Sequence, residues 1–140
     1  DIFSMDISKY DPAKDARRFE AGTPNVPSLY AAQAGLKFLL EVGVDNAWRV
    51  SNQLHNQLRA GVNELGGVCA TPEHPGEHGP MLAIASTDEH ALVNAMAQDN
   101  VVVSSRDGNV RISPHFYNNS QDVEMALASI AKNRHLLRTP

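Results

Sequence analysis

In the run VVVSSRDGNVRISPHFYNN, residues 101–119, the returning half holds a single charge, Arg111, in a strand otherwise suited to half burial. Asp107 and Gly108 suit a two-residue hairpin turn between flanks rich in strand formers. That turn pairs Arg106 with Asn109, Ser105 with Val110, Ser104 with Arg111 and Val103 with Ile112. Alternation then sends Arg111 and Ser113 to the face opposite Ile112, on the side of Ser104. A planar, permanently charged fork bordered by small hydroxyls can hold a carboxylate through two parallel hydrogen bonds. On pattern alone, an ordinary solvent-facing strand arginine explains the residue as well.

A second segment, ARRFEAGTPNVPS at residues 16–28, could bind an anion. Gly22 permits unusual backbone angles, Thr23 offers a hydroxyl, and a helix beginning near Pro27 would point its positive end back at both. A glycine and threonine ahead of a helix start can hold phosphate through N–H and O–H groups. Capping and turn formation account for the same residues equally well.

Other candidates carry less. His74 and His78 are four apart beside Glu73 and Glu77, but Pro75, Gly76, Gly79 and Pro80 exclude a stable helix, so the spacing has no metal-binding geometry and a solvated loop is expected. His55 falls on the polar side of a long helix and His90 in a first turn, so both are expected at the surface. His135 reads as a helix-end cation. No close acidic pair and no GxxxxGK loop is present. Cys69, in GVCAT, reads as a small buried strand residue with no sequence neighbour to lower its pKa.

The elements that must position these residues follow from apolar spacing. Pro27 suits a first helical turn, with Leu29, Ala32, Leu36, Leu39 and Leu40 at helical intervals and Gly43 as a stop. Val50, Leu54, Leu58, Val62 and Leu65 form the apolar stripe of a second helix, capped by Asp45 or Asn46 and ended by Gly66 and Gly67. Asn52, Gln53, Asn56, Gln57 and Arg59 take its wet side, and Trp48 extends the packing side. Short strands are expected at 68–71 and 81–86. Thr87 or Asp88 should cap a helix over 89–98, then comes the hairpin, and Asn119 or Ser120 should cap a last helix with Val123, Leu127, Ile130 and Ala131 inward. This order gives an α+β fold: a small, mostly antiparallel sheet covered on one face by helices.

With 140 residues, 42% hydrophobic and 20% charged, the chain is sized for one globular domain. The net charge of −4 and the absence of any Lys/Arg run exclude a nucleic-acid or anionic-membrane partner held by clustered positive charge. One cysteine excludes an internal disulfide, and no apolar run approaches the roughly 18 residues that span a bilayer. DIFSMDISKYDPAKDARRFE lacks the apolar core of a signal peptide, so a cytoplasmic location is expected. Residues 1–25 show no sustained period and read as a strip that packs on structure outside the chain. With Asp1 at its start, the chain is expected to be a piece of a longer protein.

Together the two segments resemble a known family. RRFEAGTPNVPSLYAAQAGLKFLLEVG is similar to the RFE-x-GTPN run of class V aminotransferases, and SSRDGNVRISPHFYNNSQDVEMALASI resembles that family's closing R-x-S strand, YN pair and terminal helix. The resemblance covers about residues 15 to 134. It implies the fold-type I pyridoxal-phosphate architecture, with residues 1–25 a strip of the cofactor domain, 26–140 the C-terminal small domain, and linking helices at 27–65. It further implies that Arg111 grips the α-carboxylate of an amino-acid substrate. Gly22 and Thr23 would reach the phosphate of pyridoxal phosphate across a homodimer interface. Asn25 and His115 fall within matching motifs without an assigned role.

Departures from the pattern matter as much. In the family the cofactor-anchoring lysine, the Asp facing the pyridine nitrogen and the ring-stacking aromatic lie upstream of RFE-x-GTPN. None of Lys9, Lys14, Lys37 or Lys132 stands in that lysine motif, so no catalytic residue is expected in these residues and they should be inactive alone. Cysteine desulfurases of the family carry a nucleophilic Cys shortly before the R-x-S strand, where this chain reads DNVVVSSRDGNV, so a desulfurase is disfavoured. Transamination, epimerisation and lyase chemistry stay open. The competing expectation is a non-catalytic α+β module that binds a small ligand or a partner.

Overall fold

The computed structural model describes residues 8, 11–20, 22–74 and 76–140. Lys9, Pro75 and most of the strip before Asp11 lie outside the described residues. Contacts divide the chain into two units, residues 1–41 and 42–140.

In the first unit, Asp15 caps a 3-10 turn at Ala16–Phe19, accepting from the Arg17 amide and holding its guanidinium at 3.1 Å. This pairing keeps the Asp15 carboxyl below the usual carboxylate range. Helix α1 spans Val26–Val42 and buries none of its residues. Phe19, in the strip expected to pack on structure outside the chain, is 83% exposed, and Leu29 and Tyr30 of α1 are 58% and 70% exposed.

The second unit begins with Val42, and Gly43 follows with a φ of 87°, one that L side chains rarely adopt. Helix α2 follows at Val44–Glu64, with Gly43 at its cap position in place of the expected Asp45 or Asn46; the Asn46 amide instead donates to the Val42 carbonyl. Gly66 (φ 80°) ends α2, with the Gly67 amide returning to the Val62 carbonyl at 3.0 Å. The expected strand at 68–71 reduces to an isolated bridge between Cys69 and Ile84. The reason is local: the Thr71 hydroxyl, not a backbone carbonyl, accepts the Ala83 amide at 2.8 Å, and Pro72 has no N–H to continue a ladder.

Strand β1 occupies Leu82–Ala85, and Asp88 caps helix α3 at Glu89–Gln98 by accepting from the Ala91 amide. The hairpin is β2, Ser104–Arg106, and β3, Asn109–Ile112. Its turn residues Asp107 and Gly108 have φ of 53° and 76°, as a type I′ turn requires, and the register matches expectation from Arg106–Asn109 to Ser104–Arg111. The strand does not extend back to Val101. Asn100 takes a left-handed φ of 61°, and the Val101 amide closes the end of α3 on the Met96 carbonyl.

The sheet is antiparallel with order β1-β3-β2. Leu82, Ile84 and Val110 point to one face, where they pack with Leu54, Leu58 and Val62 of α2, Leu92 and Met96 of α3, and Val123 and Ile130 of the last helix. The expected α+β layer, helices on one face, is what forms. The other face carries Ala83, Ser104 and Arg111.

Helix α4 spans Ser120–Lys132 and starts with a reciprocal cap. Asn119 accepts from the Gln121 and Asp122 amides, while Asp122 accepts from the Asn119 amide and the Asn118 side chain. Those two donors hold the Asp122 carboxyl below its ordinary range. Replacing Asn119 by Ala should lower stability by about 1 kcal/mol, read as a lower urea midpoint with an unchanged slope.

Candidate functional site

Arg111 sits mid-β3, half-buried, with Ala83 of β1 and Ser104 of β2 directly beside it in register. Its Nε donates to the Met81 thioether sulfur at 2.9 Å. Among the described residues, neither terminal nitrogen has a hydrogen-bond partner and no acidic side chain pairs with it. Partial burial raises the cost of an unpaired charge, so the fork is suited to an anion that arrives from outside. Ser104 and Ser113 are both exposed, and Ser113 joins the lining of an adjoining cavity of about 510 Å³. Thr71, Glu77, His78, Met81 and His115 line the same cavity.

Two α2 side chains expected on the wet side, His55 and Arg59, hold the loop that lines this cavity. His55 is fully buried. Its Nδ1 lies 3.1 Å from the Pro80 carbonyl, so Nδ1 carries the proton and donates, leaving Nε2 to accept from Arg59 at 3.4 Å. The ring stacks on His78, centroids 4.5 Å apart. Arg59 also donates to the carbonyls of Thr71 (2.9 Å) and Pro72 (2.7 Å). Both ends of the 71–81 loop are thereby tied to α2, and His74 and His78 serve the loop: His74 accepts the Gly76 amide, and His78 bonds the Gly79 carbonyl. Burial, first of all, lowers the pKa of His55; the Pro80 bond opposes this and the nearby His78 and Arg59 reinforce it.

His90, exposed as expected, lies 3.3 Å from the Ser105 hydroxyl, and His135 is exposed after α4. His115 receives a structural part: its backbone amide donates to the Asn118 side chain, and its ring stacks on Tyr117. The YN pair of the closing motif, Tyr117 and Asn118, thus leads into α4 just ahead of its Asn119 cap. Cys69 is half-buried with its thiol pKa pushed up, chiefly by burial, although Arg59 pulls the other way.

In the first unit, Gly22 and Thr23 are exposed, and a side chain built on Gly22 would meet nothing within 4 Å. Thr23 makes no side-chain hydrogen bond among the described residues. Asn25 is the cap of α1: its side chain accepts the Ser28 amide and its carbonyl the Leu29 amide. Asn25 takes up the Ser28 and Leu29 amides, while the Gly22 and Thr23 amides and the Thr23 hydroxyl have no hydrogen-bond partner among the described residues. They are neutral donors in open space, a set that fits phosphate oxygens.

Residues 2–126 match the family model described as Aminotransferase class-V. The chain belongs to the class V aminotransferase family. An uncharacterized aminotransferase of Bacillus subtilis is 32% identical over an alignment of 132 residues that covers 85% of this chain and 32% of that protein. A probable cysteine desulfurase of Pyrococcus abyssi is 24% identical over 99% of this chain and 38% of its own length. The chain therefore spans about a third of the curated relatives it matches. In fold it is similar to an apo cysteine desulfurase structure from Thermococcus onnurineus, with a TM-score of 0.77 at 22% identity, covering 91% of this chain and 36% of that one. The fold-type I architecture implied by the motifs is borne out. Class V aminotransferases are a pyridoxal-phosphate enzyme family, and the donor sets at Gly22–Thr23 and Arg111 fit a phosphate and a carboxylate respectively. No helix among the described residues is long and apolar enough to cross a membrane.

Proposed function

We propose that this chain supplies the substrate-carboxylate grip, Arg111, and cofactor-phosphate donors, Gly22 and Thr23, to a pyridoxal-phosphate enzyme acting on an amino acid. The observation that carries the reading is the half-buried Arg111 fork, whose terminal nitrogens have no partner among the described residues. When bound, pyridoxal phosphate supplies the electron-withdrawing ring that weakens bonds at an amino acid's α-carbon. Arg111 holds the substrate by its carboxylate, which orients the bonds at that carbon for reaction. The enzyme is a homodimer, in which Gly22 and Thr23 contact the cofactor phosphate of the partner subunit. Residues beyond this chain complete catalysis: among the described lysines, Lys14 is exposed, Lys37 lies on α1, and Lys132 is paired with Asp99 at 2.8 Å.

Among the reaction branches, aminotransferase-like chemistry leads, with epimerase and lyase chemistry as its neighbours. Desulfuration is disfavoured although relatives are named for it, because Cys69 is the chain's one thiol, half-buried, bridged to Ile84 and pushed toward its protonated form. Sulfide release from L-cysteine by the full-length enzyme would overturn that exclusion.

The test is ligand binding to full-length protein. It should hold pyridoxal phosphate stoichiometrically, and free L-amino acids should perturb the cofactor's visible absorption where the matching carboxamides do not. Equal response to both, or none, would favour a non-catalytic module. Thr23→Ala should weaken cofactor retention about 5-fold, the scale of one hydrogen bond, in the dimer alone; equilibrium dialysis against pyridoxal phosphate reads this directly.

A further inference from the structure

The guanidinium of an arginine has two edges that can hold a carboxylate bidentately: a side edge using Nε and one terminal nitrogen, and an end edge using both terminal nitrogens. Around Arg111 these edges are not equivalent. Nε already donates to the Met81 sulfur at 2.9 Å, whereas the terminal nitrogens are uncommitted among the described residues. We propose that Met81 is a positioning residue for Arg111: it occupies the side edge and presents the end edge to the substrate carboxylate. This rests on the reading of Arg111 as the carboxylate grip.

A thioether suits the task for a chemical reason. It is neutral and a weak acceptor, so it fixes the orientation of the guanidinium without cancelling the charge that attracts the substrate. A carboxylate in the same place would form a closed ion pair and compete with the substrate.

Met81 is itself held. It lies at the end of the 71–81 loop, directly before β1, where Pro80 is tied to His55 and the Met81 carbonyl faces the Thr71 hydroxyl at 3.4 Å. Thr71 Oγ1 also accepts the Ala83 amide, and Arg59 draws in the Thr71 and Pro72 carbonyls. Ala83 is the strand partner of Arg111, so the residues anchoring Met81 and Arg111 share one register. The loop anchored on α2 thus ends in the atom that orients the fork.

Two substitutions separate orientation from packing. Met81→Gln keeps similar length and returns an acceptor oxygen, while Met81→Leu keeps apolar bulk and removes the acceptor. In the full-length holoenzyme, the proteinogenic L-amino acids are titrated by calorimetry, and the tightest binder serves as probe beside its carboxamide. The expected result is about 3- to 10-fold weaker binding of the amino acid in Met81→Leu, near wild-type binding in Met81→Gln, and no change for the carboxamide in either. Thermal unfolding of the unliganded protein verifies that both variants fold. Unchanged binding in Met81→Leu, or a larger loss in Met81→Gln than in Met81→Leu, would overturn the assignment and leave Met81 a packing residue. If Arg111→Ala also binds the probe normally, or no amino acid binds, the carboxylate reading of Arg111 fails instead, and the Met81 role with it.

Discussion

Arg111→Ala in the full-length enzyme should weaken binding of the amino-acid substrate by about 1.5–3 kcal/mol, roughly 10- to 150-fold, and leave cofactor content unchanged. The magnitude follows from losing charge-assisted hydrogen bonds to a carboxylate at a partly desolvated site. Arg111→Lys should recover only part of the loss. An ammonium restores the charge but not the planar fork, and it cannot use the Met81 sulfur and two carboxylate oxygens in the same geometry. Substrate titration of the three proteins, followed by the KM for the same amino acid, measures both effects; equal affinity in all three would make Arg111 a bystander of the sheet face.

The same substitution should not weaken the unliganded fold. Arg111 is half-buried and has no acidic partner among the described residues, so removing it relieves a desolvated charge while costing one weak bond to sulfur. The urea midpoint of Arg111→Ala should therefore equal or exceed that of the wild type. A structural arginine would behave in the opposite way, with stability falling and affinity following only through misfolding. Loss of binding without loss of stability is thus the signature that separates the two roles.

How much of this site is visible in the amino-acid sequence depends on the range of the interactions involved. The hairpin register was legible because Asp107 and Gly108 encode it locally, and with it the face of Arg111. Asn119 and Asp88 were legible as caps for the same reason. Met81 was not, because its contact with Arg111 joins residues thirty apart through the β1–β3 register, which no local spacing contains. Residues 68–71 looked like a strand by composition, yet Thr71 diverts a ladder bond to its side chain. His55 is buried because the inward face of α2 is wider than its apolar stripe. Ser51, His55, Leu58 and Val62 recur at i, i+4, i+7 and i+11, and all four are buried. A polar residue type on that spacing was the available signal, since a histidine can enter a core if both ring nitrogens find partners.

That burial makes acid the condition under which the loop anchor should fail. Neutral His55 donates from Nδ1 to Pro80 and accepts at Nε2 from Arg59; a second ring proton would set two N–H groups against each other at Nε2. The folded-state pKa is accordingly depressed, by burial above all. A depressed histidine contributes stability that is fully present above the unfolded value of about 6.5 and lost as pH falls from there toward the folded pKa. Within that window the unfolded chain carries the extra proton, so stability should fall by at most about 1.4 kcal/mol per pH unit from this residue. His55→Ala should cost about 2–4 kcal/mol at neutral pH, combining a core vacancy with the stranded Pro80 carbonyl and a lost Arg59 contact. Because the variant has no imidazole to titrate there, its stability should decline less over the same interval. Guanidinium midpoints of both proteins, taken stepwise from neutral pH down to about pH 5, should therefore converge. Parallel curves would mean that His55 takes up its proton as readily in the folded chain as in the unfolded one, and that the loop anchor does not depend on the neutral ring.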